Sequence, residues 1–507
     1  MPRLIFFAVM LSAFLFTLSS VKYLQILQLE GYVVNSYIKK LFCAFFGLIL
    51  LQIAFGVIFL SLIIILPRAE LTLPVISLLL LLISYGKKQK CPFRLTARAK
   101  RLTLTLLLLY IIECAIAISF RPEYLALILA AQPIAVWLAG VIIAPVERKI
   151  NLRFIARARQ KLRKIKPKVI AITGSYGKTT TKNILSALLS EKYSVLATPG
   201  SYNTPQGVSK TVNDLLNQSH QILVVEMGAR KEGDIKELTE MVEPNIAIIT
   251  AVGNQHLGSF GSLEKIKKTK RELIDYLPCG GRAYFNGNDK VAAEFYQGFN
   301  GSGTLTGKNG RVYYDEVTLG KNGTSFTLHY VGGSERVTTK LLGKHIPETV
   351  CLCAAVALDL GISIKSIKNA LESVKPVAHR LEIIYNVDSV IIDDSYNSNE
   401  QGFISAIEVT SYFSYLIKVV ITPGVVELGK AQYEVNFRLG NHAGRVCDHL
   451  IVYGENATAL RSGAINSGMN KDKIKVVKNT AEAMEYYKTI GGGKVVLFEN
   501  DLPDNYR

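Results

Sequence analysis

Ala171-Ile172-Thr173-Gly174-Ser175-Tyr176-Gly177-Lys178-Thr179-Thr180 is the stretch that decides how the rest of this chain is read. It continues the apolar run Val169-Ile170-Ala171-Ile172 and precedes a helix-like pattern from Lys182 to Leu189. A short strand, a turn with two glycines and a helix together make an anion site. Backbone N–H groups and the positive end of the helix dipole face the turn. Lys178 supplies a point charge for outer phosphates, and the Thr179 hydroxyl a ligand for Mg2+. Gly174, Ser175, Tyr176, Gly177, Lys178, Thr179 and Thr180 therefore read as a nucleotide-phosphate loop. Its spacing is Gly-x-x-Gly-Lys-Thr rather than the longer Gly-x-x-x-x-Gly-Lys-Thr, because position 172 is Ile.

Outside the loop, 49% hydrophobic residues over 507 positions and a mean hydropathy of +0.25 exceed what an ordinary soluble enzyme carries. Length argues for roughly three domains. The apolar excess lies in residues 1–145. Five segments there, about 4–21, 43–66, 71–85, 102–120 and 124–145, are long enough or nearly long enough to span a bilayer. No small-residue cleavage site precedes the amphipathic stretch Tyr23–Leu41, so the first segment does not read as a signal peptide. Basic residues crowd between the third and fourth segments (Lys87 to Arg101) and after the fifth (Arg148 to Lys168). The positive-inside rule then puts the N-terminus outside and everything after 146 in the cytoplasm. The net charge of +19 sits largely beside these segments, which points to anionic membrane lipid and away from nucleic acid. Glu113, deep in the fourth segment, is either a functional carboxylate or a helix-packing residue. Seven cysteines with no Cys-x-x-Cys pair exclude a zinc ribbon and a secreted disulfide framework.

Beyond Lys168 short apolar runs alternate with helical patterns. Val169–Ile172, Ile222–Val225, Ile246–Thr250, Val390–Ile392, Lys418–Thr422 and His449–Val452 are the clearest strands, and the alternation predicts parallel, doubly wound sheets. Ligands of such sheets sit at the carboxyl ends of the strands. Glu226 follows one strand directly and can hold Mg2+ there; taken alone, a glutamate in that place is more often a helix cap. His256, after another strand, is a metal or phosphate ligand or a satisfied loop histidine. Lys270 lies in a helical pattern from Ser262 to Leu273, where a lysine is ordinarily a solvated charge.

These residues together resemble the ATP-dependent Mur ligases of peptidoglycan synthesis, in particular the MurF branch that adds D-alanyl-D-alanine. The resemblance runs from about 168 to the C-terminus. The shortened phosphate loop is typical of that family, and Asp393-Asp394-Ser395-Tyr396-Asn397-Ser398-Asn399 is similar to its Asp-Asp-x-Tyr-Asn-x-Asn signature. The resemblance implies roles residue by residue. Asn203 faces substrate, Glu226 binds Mg2+ and His256 a second metal. Lys270 matches the lysine carbamylated by CO2, and Asn286 with Asp289 the adenine-side motif. Arg380, in Ala378-His379-Arg380-Leu381-Glu382, meets the γ-phosphate of ATP, while Asp394 joins the nucleotide side, and Tyr396, Asn397 and Asn399 the acceptor side. Lys178, His256, Lys270 and Arg380 carry the catalysis on this reading.

The implied architecture is an α-helical transmembrane bundle (1–146), a basic linker (147–167), a central P-loop domain (168–375) and a C-terminal Rossmann-like domain (376–507). The implied setting is a bacterial cell membrane, multi-pass, with the catalytic domains in the cytoplasm. The implied partners are a nucleotide- or lipid-linked cell-wall precursor and an amino acid or dipeptide, with ATP and Mg2+; the oligomeric state is left open. Three departures accompany the match. Ile346 and Thr349 interrupt the family's Gly-x-His-Asn-x-x-Asn stretch, and Glu400 stands where a proline usually follows the signature. The apolar region takes the place of the usual UDP-binding domain. The alternatives are the same chemistry on another polymer carboxylate, or a transporter or receptor with a nucleotide-regulated domain.

Overall fold

The computed structural model describes residues 20–44, 92–120, 128, 131–255, 257–308, 310–386, 389–396 and 399–500. The chain divides into two units, one ending at Leu152 and one beginning at Arg153.

In the first unit, helix Ala97–Phe120 buries Ala99, Leu102, Leu106, Tyr110, Cys114 and Ala117, a stripe at spacings of three and four. Tyr23, Leu27, Tyr37, Val136 and Ala139 pack on the same cluster. Arg101 forks onto the buried Glu147 at 2.5 and 2.9 Å. The expectation of a five-span, multi-pass membrane bundle is corrected here. Among the described residues one helix, Ala97–Phe120, is long and apolar enough to cross a membrane. The third expected span, and nearly all of the first and second, lie outside the described residues. The fifth runs into helix Gln132–Ile165, which from Arg148 onward carries Arg148, Lys149, Arg153 and Arg157. Apolar length and the charge of the intervening stretches set that count, and neither separates a span from half of a mixed helix. The membrane localisation and the lipid partner rested on that count.

The second unit holds two six-stranded sheets. β1 (Lys168–Thr173), β2 (Val195–Ala197), β3 (Ile222–Glu226), β4 (Ile246–Ile249), β5 (Arg282–Asn286) and β6 (Ser302–Thr306) form an all-parallel sheet in the order β2-β3-β1-β4-β5-β6. Along β1, Ile170 and Ile172 enter a core with Ile184, Leu185 and Leu188, while Val169 and Ala171 enter a second with Val208 and Ile235. Both faces are covered, which is why the strand reads as an unbroken apolar run. Each isoleucine buried this way contributes about 1.5–3 kcal/mol. Helix Ile346–Asp359 is buried on nearly every side, and Cys351 and Cys353 act in it as small apolar residues.

β7 (Tyr313–Gly320), β8 (Gly323–Tyr330) and β9 (Gly333–Thr339) make a separate antiparallel sheet. β10 (Glu382–Tyr385), β11 (Ser389–Asp394), β12 (Ile417–Thr422), β13 (His449–Val452), β14 (Ile474–Val476) and β15 (Lys494–Glu499) form the second large sheet, in the order β10-β11-β15-β12-β13-β14. All its pairings are parallel except β10 with β11. The chain leaves β1 for β2 and β3 on one side and returns as β4 on the other. The crevice at that reversal opens beyond the carboxyl ends of β1 and β4.

Candidate active site

The turn after β1 fills this crevice. Gly174 has φ +154°, and a Cβ there would lie 2.0 Å from Thr250 Oγ1 and 2.9 Å from the Ala251 carbonyl, so only glycine fits. Gly177, at φ +77°, opens helix Lys178–Ser190. The turn is laced to the chain leaving β4. Ser175 N–H donates to Ala251 O at 2.6 Å, Gly253 N–H donates to Ser175 Oγ at 3.0 Å, and Thr250 Oγ1 donates to Tyr176 O at 2.6 Å. Lys178 folds back over its own loop, and its Nζ donates to Gly174 O at 2.8 Å and Ser175 O at 2.9 Å. Burial lowers its pKa to about 8 against the pull of Glu226, and Arg380 adds to the fall.

Glu226 closes β3 beside the loop. Its Oε2 accepts from Thr179 Oγ1 and from Lys182 Nζ, each at 3.0 Å, and its Oε1 from Asn203 Nδ2 at 3.0 Å. Burial alone would raise this carboxyl, but Lys182, Lys178 and Asn203 outweigh it and hold the pKa below the ordinary value. An ionised carboxylate and a hydroxyl so close offer the hard oxygen donors that suit Mg2+. Lys270 comes from helix Leu263–Asp275, capped by Ser262. It is 4% exposed, and burial drives its pKa well below the usual lysine value, helped by Lys178 and opposed by Asp234 and Glu272.

The second large sheet brings Arg380 and the end of β11 to the same place. The Arg380 guanidinium lies 4.9 Å from the centre of the Tyr396 ring. Asp394 Oδ1 accepts from Leu381 N–H at 3.2 Å, and Asn399 caps helix Glu400–Thr410 by accepting from Gly402 N–H at 3.0 Å. Two cavities flank the phosphate loop. One, of about 620 Å³, is lined by Asn286, Asp289, His345, Glu348 and Asp394; the other, of about 550 Å³, by Lys178, Asn203, Glu226, Lys270 and Tyr396. Tyr176, Gly177, Arg380 and Asn399 line both. Asp289 also caps helix Lys290–Gln297, accepting from Ala292 N–H at 2.8 Å. A pocket of this size opening on a helix N-terminus suits a nucleotide with its phosphates on the loop.

Most of the residues singled out in the sequence line one cavity or the other. His256 and Asn397 lie outside the described residues. Three further residues belong to the site. Lys182 grips Glu226, and Glu348 and His345 line the larger cavity where the family stretch is interrupted. Lys182 carries a sequence signal, one helical turn beyond Lys178 and so on the same face. Nothing in the sequence distinguishes Glu348 from a surface acid.

Asp394 allows a test of the site's electrostatics. Burial raises its pKa from 3.8 to about 6, although Arg380 and the Leu381 N–H oppose the change. A carboxyl raised on folding adds stability that is full below its unfolded pKa and lost as pH rises through the folded one. Asp394→Asn keeps the acceptor and cannot ionise. It should therefore gain on the wild type by about 2 kcal/mol between about pH 4 and about pH 7, read by urea unfolding. An equal difference at both pH values would mean that Asp394 is ionised throughout.

Two families match the second unit. Residues 172–357 match the Mur ligase middle domain and residues 379–499 the Mur ligase glutamate ligase domain. The UDP-N-acetylmuramoyl-tripeptide–D-alanyl-D-alanine ligase of Mycobacterium bovis is 31% identical over 313 residues, which are 59% of this chain and 61% of that protein. The chain thus spans about three-fifths of the length of the first such relatives. Among solved structures, MurF from Acinetobacter baumannii superposes with a TM-score of 0.63 at 30% identity, covering 69% of this chain and 78% of that one. MurF ligase from Thermotoga maritima, in complex with ADP, gives 0.59 at 26% identity, covering 69% and 80%.

Proposed function

The chain belongs to the Mur ligase family, and we propose that it is an ATP-dependent, ADP-forming amide ligase that joins D-alanyl-D-alanine to a nucleotide-linked muramoyl-tripeptide. One observation carries this reading: Arg380, from the second sheet's domain, lines both the cavity on the Asn286 side and the cavity on the Asn203 side. A group placed there can serve a phosphate arriving from one cavity and a carboxylate arriving from the other.

The loop from Gly174 to Thr180 would hold the nucleotide phosphates, with Asn286 and Asp289 on the adenine side and Asp394 nearby. Thr179 and Glu226 would hold Mg2+, with His256 as a ligand of a second ion. Asn203, Tyr396, Asn397 and Asn399 would face the acceptor. An acceptor carboxylate oxygen attacks the γ-phosphorus, a P–O bond forms, and the bond to ADP breaks to leave an acyl phosphate. The unprotonated dipeptide amine then attacks the acyl carbon, a C–N bond forms, the C–O bond to phosphate breaks, and the proton lost from nitrogen leaves with the phosphate. Two like charges about 4 Å apart repel by roughly 4 kcal/mol at an effective dielectric of 20, so cations and positioning do most of the work. Lys178 and Arg380 supply fixed positive charge, and Mg2+ held by Thr179 and Glu226 would neutralise part of the phosphate charge. Lys270 would carry a carbamate. That step needs the unprotonated amine, which its burial favours.

The test uses the full chain with Mg-ATP and bicarbonate. Phosphate release should require both UDP-muramoyl-tripeptide and D-alanyl-D-alanine. Release with a lipid-linked tripeptide but none with the nucleotide-linked one would overturn the acceptor. No dependence on any acceptor would overturn the ligase reading.

A further inference from the structure

We propose that Lys182 is a positioning residue that couples the metal-side carboxylate Glu226 to the acceptor-side loop Gly200–Asn203, so that metal and acceptor strengthen each other's binding. The proposal rests on the ligase reading for the identity of its two ligands, and on the following geometry for the coupling itself.

Lys182 and Glu226 are 7% and 2% exposed in their side chains. Lys182 Nζ lies 3.0 Å from Glu226 Oε2 and donates to the Gly200 carbonyl at 2.6 Å. Three residues further on, Asn203 Nδ2 donates to Glu226 Oε1 at 3.0 Å. One short loop therefore grips one carboxylate twice, at its start through Lys182 and at its end directly. Asn203 has little room to move. Its carbonyl accepts from Gly228 N–H at 2.8 Å, and a Cβ on Gly228 would lie 2.7 Å from its carboxamide. Lys182 itself lines neither cavity, so it acts through Glu226 and Gly200.

The physical consequence is a shared position. If the loop withdraws, Lys182 loses its carbonyl acceptor and Glu226 its amide donor, and two buried charges are left underpaired. A ligand that settles the loop therefore also fixes Glu226, and an ion that fixes Glu226 settles the loop. Such coupling is reciprocal and typically worth a factor of about 5 to 150.

The experiment measures Mn2+ binding to the full chain in the presence of ADP, by electron paramagnetic resonance, with and without UDP-muramoyl-tripeptide. In the wild type the acceptor should tighten Mn2+ by about fivefold or more. In Lys182→Met that factor should fall to about one, and Lys182→Arg should restore part of it. If Lys182→Met does not fold, Lys182→Gln, which keeps a donor for Gly200 without the charge, is read the same way. An undiminished factor in a folded variant overturns the proposal. A second readout needs no acceptor. Mn2+ with ADP should slow hydrogen exchange at the Gly200–Asn203 amides in the wild type and not in the variant, and equal protection in both would also overturn it. Neither measurement uses turnover, so failure of the ligase reading shows separately, as absent phosphate release.

Discussion

Lys178→Ala is expected to lower kcat for acceptor-dependent phosphate release by about a thousandfold or more while leaving the fold in place. Lys178 is the one ammonium on the loop between Gly174 and Thr180. It is half-buried at the start of its helix, where removing a preorganised charge costs more than it would in water. The native lysine is itself costly to keep charged there, as its depressed pKa records. Alanine removes that cost but leaves the Gly174 and Ser175 carbonyls without their ammonium donor, so the melting temperature should change by no more than a few degrees. Steady-state phosphate release and circular dichroism melting test both halves. A loss of tenfold or less would place the phosphate site elsewhere on the chain.

Arg380→Ala should also cost about a thousandfold, and the loss should fall on kcat with the KM for ATP held within about threefold. The reason is position. Among the described residues, Arg380 is the only lysine or arginine that lines both cavities, so its charge is best placed when the two reacting anions meet between them. Its guanidinium lies within cation–π distance of the Tyr396 ring, which helps to hold it in place. Arg380→Lys keeps the charge and loses the fork, so its activity should fall between the two. A KM effect without a kcat effect would make Arg380 a nucleotide-binding residue rather than one that serves the transfer.

The parts of this molecule legible in the sequence are those where burial forces the residue types. β1, β3 and β4 are covered on both faces and read as continuous apolar runs, and β11, β12 and β13 are similarly apolar. The phosphate loop was legible because Gly174 and Gly177 adopt backbone conformations that other residues rarely take. The antiparallel sheet from Tyr313 to Thr339 was not read. β7 is mostly exposed or half-buried and carries Asp315, Glu316 and Thr318, so no apolar period marks it. Lys182 was read only as the start of a helical pattern, because its place one helical turn beyond Lys178 marks the face it shares but not that the lysine is buried. The corrected reading, the multi-pass membrane localisation, has the opposite cause. Apolar composition was plain over residues 1–146, but the partner of each apolar face is a property of packing and not of any window of sequence.

The contacts of Lys178 bear on how tightly the loop can hold a nucleotide under the ligase reading. Its ammonium donates to the carbonyls of Gly174 and Ser175. A nucleotide that draws the ammonium away must break those bonds, and a departing ADP allows them to re-form. Hydrogen bonds to a charged group are worth about 1.5–3 kcal/mol each, so the exchange returns much of what leaving the loop costs the product. Under the ligase reading, the loop's own carbonyls compete with the nucleotide phosphates for this one ammonium, which lowers nucleotide affinity by what those two bonds are worth.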